Sequence, residues 1–147
     1  MRKDHTRDYV TEVFRLYARM GMRDSEAVKR EIYERERSRH NDPALAVELA
    51  EMAVRKETPM LLDIMAAHTT LDLLAGGGRP HIARAVAAVY FVKPDEPLRR
   101  GEVSERVRWF ALAEPTTECT VYRWLKEARL LCAAIRGLRI VGDAPMF

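Results

Sequence analysis

Residues 116–140 read TTECTVYRWLKEARLLCAAIRGLRI and contain the strongest helical pattern of the chain. Apolar side chains recur in this stretch at three- and four-residue steps, which is the spacing of one face of an α-helix. Thr117 is a suitable N-cap residue, and Glu118 in the first turn complements the positive end of the helix. The apolar positions predict a core face made of Val121, Trp124, Leu125, Ala128, Leu131, Cys132 and Ile135.

The opposite face of this helix is polar and positively charged. It is predicted to contain Cys119, Tyr122, Arg123, Lys126 and Arg129, with Thr120 between the two faces near the helix start. A helix that reads DNA needs this division, because its inner face packs on the preceding helix while its outer residues reach base edges and phosphates.

Outward from this stretch, the chain contains six further helical segments separated by Gly, Pro and capping residues. Asp24 or Ser25 is expected to cap the second helix, and Asp42 the third. The sequence GGGRP at residues 76–80 predicts a hinge, since three glycines end one helix and a proline starts the next. The predicted helices span residues 4–20, 25–39, 43–56, 58–75, 80–92 and 101–113.

The expected fold is therefore all-α, with an N-terminal helical bundle followed by a C-terminal helix-turn-helix module. The bundle spans residues 1–78, the module residues 79–140 and a short tail residues 141–147. The fourth helix is apolar almost all round, so it is predicted to be the most buried. The second helix has a thin apolar face, so the bundle is a candidate surface for forming a homodimer or for contacting a partner.

The positive charge is concentrated in the C-terminal half. Residues 1–78 contain 13 Lys or Arg against 14 Asp or Glu, whereas residues 79–139 contain 12 against 7. A basic half is typical of a module that binds a polyanion. A general preference for Arg is the alternative explanation, because 20 of the 25 cations are Arg.

Two cysteines, Cys119 and Cys132, lie on the same predicted helix. Their separation is about 20 Å at the helical rise of about 1.5 Å per residue, too far for a disulfide. Two free thiols and a charged N-terminus without an apolar core favour a cytoplasmic protein. No apolar run is long enough to predict a membrane span.

The segment TECTVYRWLKEARLL resembles the recognition helix of helix-turn-helix regulators. FALAEPTTECTV, from Phe110 to Val121, has the length of the stretch that links the two helices in region 4 of sigma factors. Over about the last 60 residues, the chain resembles sigma-like phage and prophage transcription regulators of the RinA/ArpU type. Three positions depart from the family pattern: Cys119 stands where members often have Arg or Ser, Pro115 replaces a turn glycine, and Glu114 replaces an apolar residue. The sixth helix also begins well before the usual motif.

This resemblance implies a DNA-binding transcription regulator of phage or prophage origin. Its expected partners are double-stranded DNA, RNA polymerase or other transcription machinery, and a second copy of the chain. Arg123 is expected to read guanine, while Thr117, Thr120 and Tyr122 lie near base edges or phosphates. The expected backbone contacts come from Lys126, Arg129, Arg99 and Arg100.

Two other functional classes remain open from the sequence. The Arg-rich face is also compatible with an ordinary solvated surface, or with a protein-interaction module that has no role on DNA. An enzyme is not expected, since no convergent acid–base pair is recognisable. No cofactor or metal is expected either: His68 and Asp72 lie one helical turn apart, but a hydrogen-bonded histidine explains them better.

Overall fold

The structure, a computed structural model, describes residues 5–138, and within this range it contains seven α-helices and no strand. The all-α prediction is confirmed for this part of the chain, and the predicted helix limits agree within two residues. The predicted tail at residues 141–147 lies outside the described residues. The helices are α1 (His5–Arg19), α2 (Ser25–Arg37), α3 (Pro43–Lys56), α4 (Thr58–Gly76), α5 (Pro80–Tyr90), α6 (Glu102–Ala113) and α7 (Glu118–Arg136).

Side-chain caps fix the beginning of three helices. Asp24 accepts a hydrogen bond from the N–H of Ala27 at 2.8 Å and begins α2. Asp42 caps α3, where Pro43 occupies the first turn. Thr117 caps α7 by accepting from the N–H of Thr120 at 3.1 Å. Each cap satisfies a backbone donor that the first helical turn leaves without a partner, which is why these short polar residues could be recognised in the sequence.

The centre of the molecule is α4, which packs against α1, α2, α3, α5 and α7. Because α4 contacts α7 directly, the helices before and after the glycine segment share one hydrophobic core. Gly78 has a φ of +78°, a left-handed conformation that glycine adopts without strain and that ends the helix. The division at residue 78 is thus a turn between helices that stay packed on each other.

One burial prediction is confirmed and one needs correction. The thin apolar face predicted for the second helix is confirmed, since α2 buries only Val28 and Ile32 where it packs along α3 and leaves most of its other side chains exposed. The fourth helix was expected to be the most buried, yet it leaves Leu62, Met65 and Leu73 exposed to solvent. Its neighbours cover one side of the helix only, so an apolar stripe remains uncovered.

Helices α5, α6 and α7 each contact the other two. Trp124 of α7 lies between them, with its ring centroid 4.7 Å from that of His81 and 6.4 Å from that of Phe110. Ala111 of α6 is buried, and its small side chain allows a close approach of the neighbouring backbone. Because aromatic rings prefer such edge-on geometry, these contacts help to fix the relative orientation of the helices in addition to their burial.

A polar cluster connects α7 to the N-terminal helices. Arg136 donates to a carboxylate oxygen of Asp63 at 2.7 Å, and the hydroxyl of Tyr9 donates to the same carboxylate at 2.8 Å. The hydrogen bond to Asp63 raises the pKa of Arg136, while burial raises that of Tyr9. These contacts join one residue each from α1, α4 and α7, so the C-terminal end of α7 has a fixed position on the bundle.

Arg15 is the most buried charged side chain among the described residues, with only 2% of its surface exposed. Its guanidinium donates to the carbonyl oxygens of Tyr90 at 3.0 Å and Lys93 at 2.9 Å, and also to that of Glu96. Burial lowers the pKa of this guanidinium, which nevertheless stays charged at neutral pH. Its partners are the last carbonyls of α5 and the loop that follows, where a cation is favoured by the helix dipole.

We expect Arg15→Met to reduce the free energy of unfolding by about 3 kcal/mol, because it leaves the buried carbonyl of Tyr90 and the partly buried carbonyls of the loop without this donor. Urea denaturation measures this loss. In Arg15→Met, the rate of amide hydrogen exchange should increase most for residues 91–101. The matched control is Arg30→Met, at an exposed position of α2, which should change stability by less than about 0.5 kcal/mol. Equal losses in the two variants would contradict the structural role of Arg15.

Candidate nucleic-acid interface

The two faces predicted for α7 are present in the structure. Val121, Leu125 and Ala128 are completely buried against the neighbouring helices. On the other side, Cys119, Arg123 and Lys126 are exposed and fall at steps of four and three residues, so they form one stripe along the helix. We call these three residues the outer stripe of α7.

The N-terminal turn of α7 is adjacent to the outer stripe. Thr117 and Thr120 lie there with their hydroxyl oxygens 2.8 Å apart, and Thr117 is exposed while Thr120 is half-buried. The free N–H groups at this end carry the positive pole of the helix dipole. Thr117, Thr120 and Arg123 are therefore close enough to act on one ligand.

The carboxylates of α7 are paired with arginines of neighbouring segments, one from the turn before α5 and one from α6. Glu127 pairs with Arg79, and Glu118 lies 3.9 Å from Arg108. Arg123 and Lys126, in contrast, have no intramolecular partner within residues 5–138. Surface ion pairs of this kind contribute little to stability. Their larger effect is electrostatic, since they neutralise the acids next to the outer stripe and leave its two cations uncompensated.

In the turn before α7, a carboxylate is likewise paired with an arginine. Glu114 accepts two hydrogen bonds from Arg84 of α5, at 2.9 Å from Nε and 3.1 Å from a terminal nitrogen. The hydrogen bond from Arg84 lowers the pKa of the Glu114 carboxyl, which stays ionised at neutral pH. The Glu114 side chain thus connects the turn to α5 instead of entering the core.

Tyr122 and Arg129 lie on the flank of α7 that faces α1. Both line a cleft of about 320 Å³ to which α1 contributes Thr11. Arg129 is half-buried and donates to the hydroxyl of Tyr90 at 2.7 Å, while Tyr122 stays exposed. An outward-facing Arg129 was expected, and the reason for the difference is that α1 packs along this flank. The two residues remain predicted contacts, but they are set apart from the outer stripe.

Arg99 and Arg100 belong to the loop between α5 and α6 and are both exposed. Leu98, the preceding residue, lines the same cleft as Tyr122, which places this loop beside α7. Neither arginine has an acidic partner in the part of the chain that the structure describes. The loop is the one that Arg15 holds through the carbonyls of Lys93 and Glu96. Arg15 was not identified from the sequence, since one arginine on a helix gives no sign of which carbonyls it meets.

Trp109 and Leu112 form an apolar surface on α6. They are 66% and 68% exposed, and a spacing of three residues places them on the same face. Trp109 faces solvent because Val107 and Ala111 occupy the core side of α6.

The His68 side chain forms hydrogen bonds with neighbouring helical residues, which accounts for its presence at this position. Its Nδ1 lies 2.8 Å from the hydroxyl of Tyr17, and its Nε2 lies 3.4 Å from a carboxylate oxygen of Asp72. Across residues 5–138, no group of three or more His, Cys, Asp or Glu is arranged to hold a metal ion. None of the described helices combines the length and the apolar character needed to cross a membrane.

Both cysteines are free, in opposite environments. Cys119 is exposed on the outer stripe, whereas Cys132 is buried against α4. Burial raises the pKa of the Cys132 thiol to about 11, despite a hydrogen bond with Thr70 that acts in the opposite direction. Because the thiolate is the reactive form, burial and a high pKa both protect Cys132.

We expect a disulfide reagent at pH 8 to modify Cys119 at least about tenfold faster than Cys132 in the native protein. Absorbance at the wavelength of the released thiolate measures the rate. In Cys119→Ser the fast phase should vanish, and in urea both thiols of the wild type should react quickly. A fast phase that survives in Cys119→Ser would contradict the burial of Cys132.

Comparisons with known proteins identify no family for this chain. No family model matches it, and no similar curated protein or solved structure is found. The resemblance to sigma-like phage regulators therefore stays a prediction.

Proposed function

We propose that this protein is a DNA-binding transcription regulator that places the outer stripe of α7 in the major groove. The observation that carries the proposal is the pair of exposed, unpaired cations Arg123 and Lys126. They lie on a helix whose own carboxylates are paired with arginines from elsewhere. In this proposal α6 and α7 form a helix-turn-helix unit, with residues 114–117 as the turn and α5 as its support.

Each residue of the stripe has a chemistry that suits one part of the duplex. Arg123, one turn into α7, presents the fork of donors that matches O6 and N7 of guanine. Lys126 lies farther along the helix and suits a phosphate. Thr117 and Thr120 suit a phosphate at the helix N-terminus, where dipole and N–H groups favour an anion. Cys119 is small and allows the backbone to come close to the bases.

The second set of contacts would come from the loop between α5 and α6. Arg99 and Arg100 are exposed there, and the loop lies beside the Tyr122 flank of α7. Because the outer stripe of α7 and the loop with Arg99 and Arg100 lie on different segments, together they can contact the phosphates on both sides of a groove. Such contacts fix the orientation of the protein, while base contacts give specificity.

Binding to a duplex of about 30 base pairs is the direct test. Fluorescence anisotropy should show binding whose log affinity falls linearly with log salt, because phosphate counterions are released. Arg123→Ala/Lys126→Ala should weaken binding by at least about tenfold, since each cation contributes about 1 kcal/mol or more.

The matched control is Arg55→Ala/Lys56→Ala on α3. It removes the same two side-chain types from exposed positions, so it changes net charge equally. This control should bind like wild type. Equal weakening in both double variants would show that only overall charge matters, and it would overturn the assignment to α7. Absence of binding at low salt would overturn the proposal itself.

A protein-interaction module is the second candidate function, and the exposed Trp109 and Leu112 favour it. Large exposed aromatic side chains are enriched at the centres of protein interfaces. In a regulator, this surface of α6 would suit RNA polymerase or another part of the transcription machinery. If the duplex is not bound but Trp109→Ala abolishes binding to a protein partner, the second candidate is supported instead.

A further inference from the structure

The exposed side of α4 is an apolar stripe that no other part of residues 5–138 covers. Leu62, Met65 and Leu73 are 38%, 37% and 53% exposed, and Thr69 is half-buried between them. Steps of three and four residues place all four on one face of the helix. Helices that are apolar almost all round are ordinarily buried on all sides. The composition of α4 therefore fits an environment in which this stripe is covered too.

A second copy of the same stripe is a suitable cover. The stripe has no charged residue on its centre line, so two copies meet without repulsion. In an antiparallel pair about a two-fold axis near residues 67–68, Leu62 of one copy lies opposite Leu73 of the other. The small Thr69 side chains near the axis allow the helices to approach, and the three- and four-residue spacing suits helix–helix packing.

Charges beside the stripe match this arrangement. Lys29 of α2 lines a groove of about 270 Å³ together with Leu62 and Met65, at the N-terminal end of the stripe. Lys29 has no acidic partner within the described residues. Asp72 lies at the C-terminal end of the stripe and is exposed. A two-fold axis brings opposite ends together, so Lys29 meets Asp72 of the second copy. Glu26, one turn before Lys29, is the other charged residue of that groove.

We propose that the protein forms a symmetric homodimer through α4, with the stripe at the centre of the interface and a Lys29–Asp72 ion pair at each end. An isologous interface of this kind uses the same surface on both subunits. The homodimer does not depend on DNA binding. If α7 binds DNA as proposed, the dimer presents two such helices, which is what a palindromic site requires.

Sedimentation equilibrium of the full chain without DNA tests the dimer. At about 100 μM the wild type should have twice its chain mass of 16.9 kDa and should dissociate on dilution. Leu62→Glu/Leu73→Glu should be monomeric at this concentration. Leu112→Glu, which adds a carboxylate at an exposed apolar position of α6, should remain dimeric. Circular dichroism checks that each variant keeps its helical content.

Reversing the charges of Lys29 and Asp72, which are both exposed, tests the arrangement independently of the apolar stripe. Because Asp72→Lys also removes the carboxylate that lies 3.4 Å from Nε2 of His68, circular dichroism checks the helical content of these variants as well. Lys29→Asp and Asp72→Lys should each weaken the dimer by about tenfold, and the double variant should recover most of that affinity. A wild type that stays monomeric at about 100 μM overturns the proposal. So does a dimer that Leu62→Glu/Leu73→Glu leaves intact. If the Lys29→Asp/Asp72→Lys double variant does not recover dimer affinity, the antiparallel arrangement is overturned.

Discussion

The loop that carries Arg99 and Arg100 depends on one buried cation for its position. Arg15 forms no ion pair within residues 5–138 and is stabilised by carbonyl oxygens at the end of α5 and in the following loop. Removing a charge from water costs several kcal/mol unless its hydrogen bonds are replaced, so these carbonyls have to stay where they are. Arg15 thereby connects α1 to the loop that carries Arg99 and Arg100. Arg106 adds a second donor at the same helix end, to the carbonyl of Val89 at 2.8 Å.

Within residues 5–138, the carboxylates on α7 and in the turn before it are paired, whereas Arg123 and Lys126 of the outer stripe have no partner. Arginines of α5, α6 and the turn before α5 meet Glu114, Glu118 and Glu127. The net charge of the chain is only +3, so its total charge alone does not make it a strong polyanion binder. What matters is local: a cationic stripe with its neighbouring carboxylates neutralised attracts phosphate more strongly than the net charge indicates.

Much of the fold could be predicted from the sequence, because its signals are local. A capping side chain, a proline in the first turn and a glycine after the last turn act within a few residues, so the helix limits at Asp42 and Thr117 were recognisable. The apolar period of α7 likewise predicted its core face. Which helix lies beside which flank was not predictable, because that depends on contacts far apart in the sequence. Arg129 shows this: periodicity places it outward, but α1 and Tyr90 enclose it. Arg15 and the uncovered side of α4 were missed for the same reason.

Protection of Cys119 by DNA tests the central claim most directly, because this thiol lies on the outer stripe one turn before Arg123. The rate of its reaction with a disulfide reagent should fall by about tenfold or more with saturating duplex and recover at high salt. The double variant Cys119→Ser/Met52→Cys moves the reactive thiol to an exposed site on α3, away from α7. Saturating duplex should not change the rate at which this thiol reacts. An unchanged Cys119 rate while the duplex is bound would show that DNA contacts another surface. That result would contradict the role assigned to α7.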